Sequence, residues 1–227
     1  MASMEVPRKV VSRRARPAKA PLSQQQIVAT ALELLASEGL HRVSLRQVAA
    51  ALDTGPASLY VYFPSLTELQ ATMLDTALQQ VRLPKRKGTS WQARLRSILL
   101  SYREALMKHP GLGLIAISTI PSGPSSVRIW EAILDALAEG GLDMDRAAWA
   151  LDQLLLHVTA IAAEQSAQGT HAEGVAQLQQ TLARISPSEH PRVHAARRAL
   201  VSGNGRSRQD WGITALIEGV AVTARES

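Results

Sequence analysis

The chain has 227 residues, 46% of them hydrophobic and only 4% aromatic, with no cysteine. That is enough apolar material for one large or two small packed units, and it excludes disulfides, thiolate metal centres and a cysteine nucleophile. The formal net charge of +6 is concentrated at the start, where Arg8, Lys9, Arg13, Arg14, Arg16 and Lys19 stand against Glu5 alone.

The expected location is the cytoplasm, with no membrane association. No apolar run approaches the ~18 residues of a membrane span, and the basic start is not followed by the apolar stretch of a signal peptide. Leu and Ala dominate the apolar content, and both favour helices.

Residues 1–22 read as a basic arm, kept out of a long helix by Pro7, Pro17 and Pro21. Such an arm is drawn to phosphate or anionic lipid. The alternative is a solvated extension without a role.

Three helix starts follow, each with a serine cap and a glutamine or glutamate three residues on. Ser23 and Gln26 open a helix predicted over 23–38, with Ile27, Ala31, Leu34 and Leu35 on one face and Gly39 as its stop. Ser44 and Gln47 open a short helix over 44–52, buried through Leu45, Val48, Ala49 and Leu52. Asp53-Thr54-Gly55-Pro56 then breaks the chain, and a helix over 56–62 follows with Pro56 at its first position. Ser65 and Glu68 open a fourth helix, with Leu69, Met73 and Leu74 on its apolar side. Two short helices around a tight turn, propped on a longer one, make a helix-turn-helix. The second short helix would enter the major groove, carrying the hydroxyls of Ser58, Tyr60 and Tyr62.

The stretch SLRQVAAALDTGPASLYVYFPSLTEL, residues 44–69, resembles the DNA-binding domain of the TetR family of bacterial regulators. Its marker is Leu59-Tyr60, then Tyr62 and Phe63, then the start of the next helix. The resemblance implies a homodimer on double-stranded palindromic operator DNA, usually as a repressor. Arg46 matches a base-reaching position, and Tyr60 and Tyr62 match phosphate-contacting or supporting positions. The expected interface is Arg16, Lys19, Ser44, Arg46, Pro56, Ala57, Ser58, Tyr60, Tyr62 and Ser65. Three departures stand out: Asp53 where glycine is usual, Thr54 where an apolar residue is usual, and Leu66 where a lysine commonly touches phosphate. Residues 23–69 carry more acid than base, so the arm is the obvious compensation.

After a basic break at 82–90, helical periodicity resumes at 91–108, and a short proline-bounded helix follows. Further helices are predicted at 124–139, 144–168, 172–184, 191–200 and 208–224. The expected architecture is all-α: an arm at 1–22, a helix-turn-helix unit at 23–70 and a larger helical unit at 71–227. HPGL, GPSSVRIWEAILDALAEGGLD and RQDWGITALIEGV make the second unit resemble the tetracycline-repressor-like C-terminal domain. This implies a four-helix dimer bundle built from the long and last helices, and an enclosed ligand cavity. The dimer residues expected are Leu151, Leu155, Ile213, Leu216, Gly219 and Val220, with Gly212 and Gly219 letting a partner helix approach.

A histidine that holds magnesium–tetracycline in that branch is matched here by Ala116, with Thr119 and Pro121 retained beside it, so no cofactor or metal is expected. Apolar Leu99, Leu106, Trp130 and Leu134 with polar Tyr102, Gln153 and His157 suit a small lipophilic or aromatic inducer. His157 reads equally as a core histidine or as a pocket anchor. His190 and His194 share a helical face but lack a third ligand. A helical enzyme using His157 is a rival class, against which stands the absence of a phosphate loop, a nucleophile elbow or an acid–base cluster. A ligand-independent, nucleoid-type DNA binder is another.

Overall fold

The computed structural model describes residues 21–224 except 87, 167, 203 and 204. Among them the chain forms eleven α-helices and no strand. They are α1 (Gln24–Glu38), α2 (Leu45–Ala51), α3 (Pro56–Tyr60), α4 (Leu66–Leu78), α5 (Trp91–Met107), α6 (Leu112–Ser118), α7 (Pro124–Glu139), α8 (Met144–Ser166), α9 (Gln168–Ala183), α10 (Pro191–Leu200) and α11 (Gly205–Val222), with a 3-10 turn at Leu40–Arg42. The arm's Arg16 and Lys19 lie outside the described residues.

The serine caps account for where the first helices begin. Ser23, Ser44 and Ser65 each accept a hydrogen bond from the backbone N–H three residues on, and at Ser23 the Gln26 side chain returns the bond. The third helix is shorter than its sequence predicts. It closes at Tyr60, because Tyr62 N and Phe63 N both turn back to Leu59 O. Val127 stands apart from the buried Ile129, Ile133 and Leu137 of α7 and is 54% exposed.

One apolar core runs through α1–α8 and α11, from Ile27, Leu35 and Leu59 at one end to Leu137, Val158 and Ile213 at the other. The head and the larger unit share it through α4, which packs on α1 as well as on α5, α6 and α7. Two glycines are required by this packing. Gly111 has φ +94, and a Cβ there would sit 2.8 Å from Leu35 Cδ1, so the α5–α6 turn can press on α1 only as glycine. A Cβ at Gly113 would lie 2.5 Å from the backbone N of Ala163, so α6 and α8 meet with no side chain between them at this point.

The 82–90 segment is pinned by charge. Arg94, nearly fully buried, donates to Asp135 at 2.9 Å and Glu139 at 2.8 Å, and Arg86 joins the same carboxylates. A buried guanidinium is tolerable only with such partners. By contrast, α10 buries no residue and packs on α9. No helix among the described residues is long and apolar enough to cross a membrane.

Candidate nucleic-acid interface and ligand cavity

The α2–α3 turn is closed by an unusual residue. Asp53 has φ 50, a left-handed conformation that aspartate tolerates better than most side chains. This is how the chain makes the tight turn without the usual glycine. The turn leaves Pro56, Ala57, Ser58 and Tyr60 exposed on α3 and Arg46 exposed on α2. Ser44 and Ser65 are half-buried and occupied as caps.

The two tyrosines are not equivalent. Tyr60 is 54% exposed, so its ring stands free of the head. Tyr62 is half-buried, and its hydroxyl donates to the carbonyl of Leu22, while Gln24 Nε2 donates to the Tyr62 carbonyl at 3.4 Å. Tyr62 therefore ties the entry of α1 to the end of α3. It also places the point where the arm meets the head beside α3.

A cavity of about 460 Å³ lies between α5, α6, α7 and α8. Ile117, Thr119, Ile120 and Pro121 line one side, Leu151, Leu155 and Leu156 another, and Trp130 and Tyr102 a third, with exposed Ile117, Ile120 and Leu156 leaving the cavity open to solvent. The Tyr102 hydroxyl lies 3.2 Å from Thr159 Oγ1 in a buried pair. Burial pushes the Tyr102 phenol above its usual range, with the Thr159 bond partly offsetting it, so the group is a neutral donor or acceptor. Asp152 is the charged residue of the lining.

Of the seven residues expected here, Tyr102 and Trp130 line the cavity. Leu99 and Leu106 are fully buried core, and Leu134 is half-buried outside the lining. Gln153 sits on the outer side of α8, bonded to Asp152 at 3.1 Å. His157 faces α11, where a Cβ on Gly212 would meet its Nε2 at 3.1 Å. The reason is helical phase: at about 100° per residue, the side of α8 that carries Leu151, Leu155 and Thr159 cannot also carry 153 and 157.

The same phase corrects the expected dimer set. Leu151 and Leu155 face the cavity, and Ile213 is fully buried within the chain. Leu216, Gly219 and Val220 remain half-exposed on α11. The exposed apolar residues of these helices include Trp149, Leu156, Trp211 and Val222. Gly212 admits His157 of its own chain, whereas a Cβ at Gly219 would meet nothing within 4 Å. The 116–121 stretch was the part of the lining that periodicity missed, and its signal was the family match at Ala116, Thr119 and Pro121. Among the described residues, no group of three or more His, Asp or Glu side chains could hold a metal ion.

The cavity and α4 are joined by a short path. Beyond Pro121, the start of α7 is held by Asp75 of α4, whose carboxylate accepts from Ser125 N at 2.9 Å and from Ser125 Oγ at 3.1 Å. The reverse contact comes from Arg128 of α7, which donates to the carbonyls of Leu78, Gln79 and Val81 at the end of α4.

Residues 27–71 match the family model described as bacterial regulatory proteins, tetR family. Residues 83–224 match the model described as tetracyclin repressor-like, C-terminal domain. An HTH-type transcriptional regulator of Saccharopolyspora erythraea is 27% identical over 89% of this chain and 86% of its own. The class C tetracycline repressor protein of Escherichia coli is 25% identical over 88% of this chain and 90% of its own. Among solved structures, the Streptomyces coelicolor TetR family protein ActR in complex with (S)-DNPA superposes with a TM-score of 0.82 at 32% identity, covering 89% of this chain and 98% of that one. ActR has also been solved in complex with actinorhodin.

Proposed function

The chain belongs to the TetR family of bacterial regulatory proteins, a family of DNA-binding helix-turn-helix transcription regulators, and on that premise we propose that it is a ligand-responsive repressor acting as a homodimer on palindromic operator DNA. The arm at 1–22 supplies phosphate affinity, the unit at 23–70 reads the operator, and the unit at 71–227 dimerises and takes the ligand. Pro56, Ala57, Ser58 and Tyr60 on α3, with Arg46 on α2, face the DNA, Ser44 and Ser65 hold the helix starts, and Tyr62 supports α3 from behind.

The observation that carries this reading is the continuity from cavity to head. The segment Ile117–Pro121 lines the cavity and runs into Ser125, which α4 grips through Asp75. A molecule that prefers one position of this segment thereby prefers one position of α4, and differential affinity is what a ligand needs to shift the head.

The cavity volume suits a drug-sized molecule. Its lining is aliphatic and aromatic, with a Tyr102–Thr159 hydroxyl pair and Asp152, which fits a neutral or cationic lipophilic aromatic compound. The complex of ActR with actinorhodin supports a small-molecule ligand for a protein of this fold. Repression is the sign proposed, in keeping with the tetracycline repressor relative. The dimer surface is the exposed side of α8 and α11 around Trp149, Leu216 and Gly219, because an isolated chain would leave Trp149, Leu156 and Trp211 in water.

Footprinting on the DNA upstream of the chain's own gene tests the reading. Two protected half-sites related by a dyad are expected, and both should vanish in Trp149→Glu. Protection without a dyad, or a dyad footprint unchanged in that variant, would overturn the dimeric operator.

A further inference from the structure

We infer that the protein carries a second small-molecule site, for a hydroxyl-bearing anion such as a hydroxy acid or a sugar phosphate, in the cleft between the C-terminal ends of α5 and α8 and the start of α11. It is separate from the apolar cavity in position and opposite to it in chemistry. The cleft has a volume of about 350 Å³ and is lined by Arg103, Lys108, Arg206, Glu104, Gln165 and Gln209, with Met107.

Positive charge exceeds negative there. Glu104 is matched by Arg82, at 2.7 Å. The Asp210 carboxylate lies between Arg96 at 3.4 Å and Arg103 at 3.5 Å. Each carboxylate thus has a cation in ion-pair range, although Asp210 Oδ1 makes no hydrogen bond among the described residues, and Lys108 and Arg206 remain as excess cations on the lining. Lys108 spends one of its three hydrogens on Gln80, at 2.6 Å. Arg103 is 5% exposed, and its Nη1 is oriented by Gln209 Oε1 at 2.9 Å. A buried guanidinium fixed in this way is a preorganised donor, and its field is screened less than that of a surface charge.

The need for a hydroxyl comes from Gln165. Its Oε1 is buried with no hydrogen-bond partner among the described residues, at a cost that buried polar atoms normally avoid. Phosphate alone offers mainly acceptors and would satisfy the cations but leave this acceptor bare. An anion that also carries an O–H donor satisfies both. The apolar cavity, with Asp152 as its charged lining residue, would repel the same molecule.

Isothermal titration with two probes, citrate and tricarballylate, tests the site on the full-length protein at constant ionic strength. The two share three carboxylates, and only citrate has a hydroxyl. One saturable citrate site per chain is expected, at least five-fold tighter than for tricarballylate. Gln165→Leu should erase that difference. Arg206→Glu and Lys108→Glu, both at exposed positions, should each weaken citrate at least ten-fold with the melting temperature unchanged. Non-saturable heats, or wild-type affinity in both charge variants, would overturn the site. Equal affinity for the two probes in the wild type would overturn the hydroxyl assignment.

Discussion

Asp75 on α4 caps α7 through Ser125, accepting from its N–H at 2.9 Å and from its hydroxyl at 3.1 Å. A Cβ on Gly123 would sit against the same carboxylate, so the approach is close as well as bonded. The head's supporting helix is therefore fastened to the segment that follows the cavity wall. Asp75→Ala should lose a helix cap and cost about 1–2 kcal/mol, read as a shift in denaturant midpoint. In the same variant an aromatic ligand should still bind, while its effect on DNA affinity shrinks. Unchanged stability together with full ligand response would show that the bond is idle.

Gly113 packs directly on the α8 backbone, 2.5 Å being all a Cβ would have to Ala163 N. Gly113→Ala should push α6 from α8 and cost about 1–3 kcal/mol as overpacking. Since Ala116 and Ile117 one turn on line the cavity, ligand affinity should fall too. Thermal melting with and without ligand reads both effects.

The unequal tyrosines predict unequal variants. Tyr62→Phe removes the bond to the Leu22 carbonyl and should cost about 1 kcal/mol of stability. Tyr60→Phe, at a 54% exposed position, should leave stability unchanged and weaken operator binding. Chemical denaturation and fluorescence anisotropy separate the two outcomes.

Much of this was legible in the sequence, and the failures have one cause. Serine caps, glycine stops and the α3 proline located the helices because those signals act within a turn of the chain. Leu151, Leu155, Ile213 and Gln153 were given the wrong neighbours, and His157 was left between core and pocket, because periodicity shows that a face is apolar, not what covers it. α8 carries apolar residues on several sides: its Leu151 side, with Leu156 at the margin, meets the cavity, its His157 side meets α11, and Trp149 meets solvent. Phase relative to other helices is a tertiary fact. The Asp75–Ser125 cap joins residues far apart in the chain and had no local signal at all. The resemblance pointed to Ala116, Thr119 and Pro121 only as the place of a missing metal-binding histidine, and the structure puts all three on the cavity lining.

The arm should act through charge alone, since phosphate contacts position a protein without reading sequence. Deleting residues 1–20 should weaken binding to operator and random DNA alike. The slope of log affinity against log salt should flatten by about 0.9 for each phosphate that the arm neutralises. A truncated protein with the full-length slope would show that these cations never meet the DNA.

The most direct test of the account is competition between duplexes at fixed salt. The protein is titrated by fluorescence anisotropy against DNA from upstream of its own gene and against the same bases in scrambled order. The account predicts a preference of about a thousand-fold or more for the native sequence, lost on Tyr60→Ala combined with Arg46→Ala. Equal affinity for the two duplexes would contradict it.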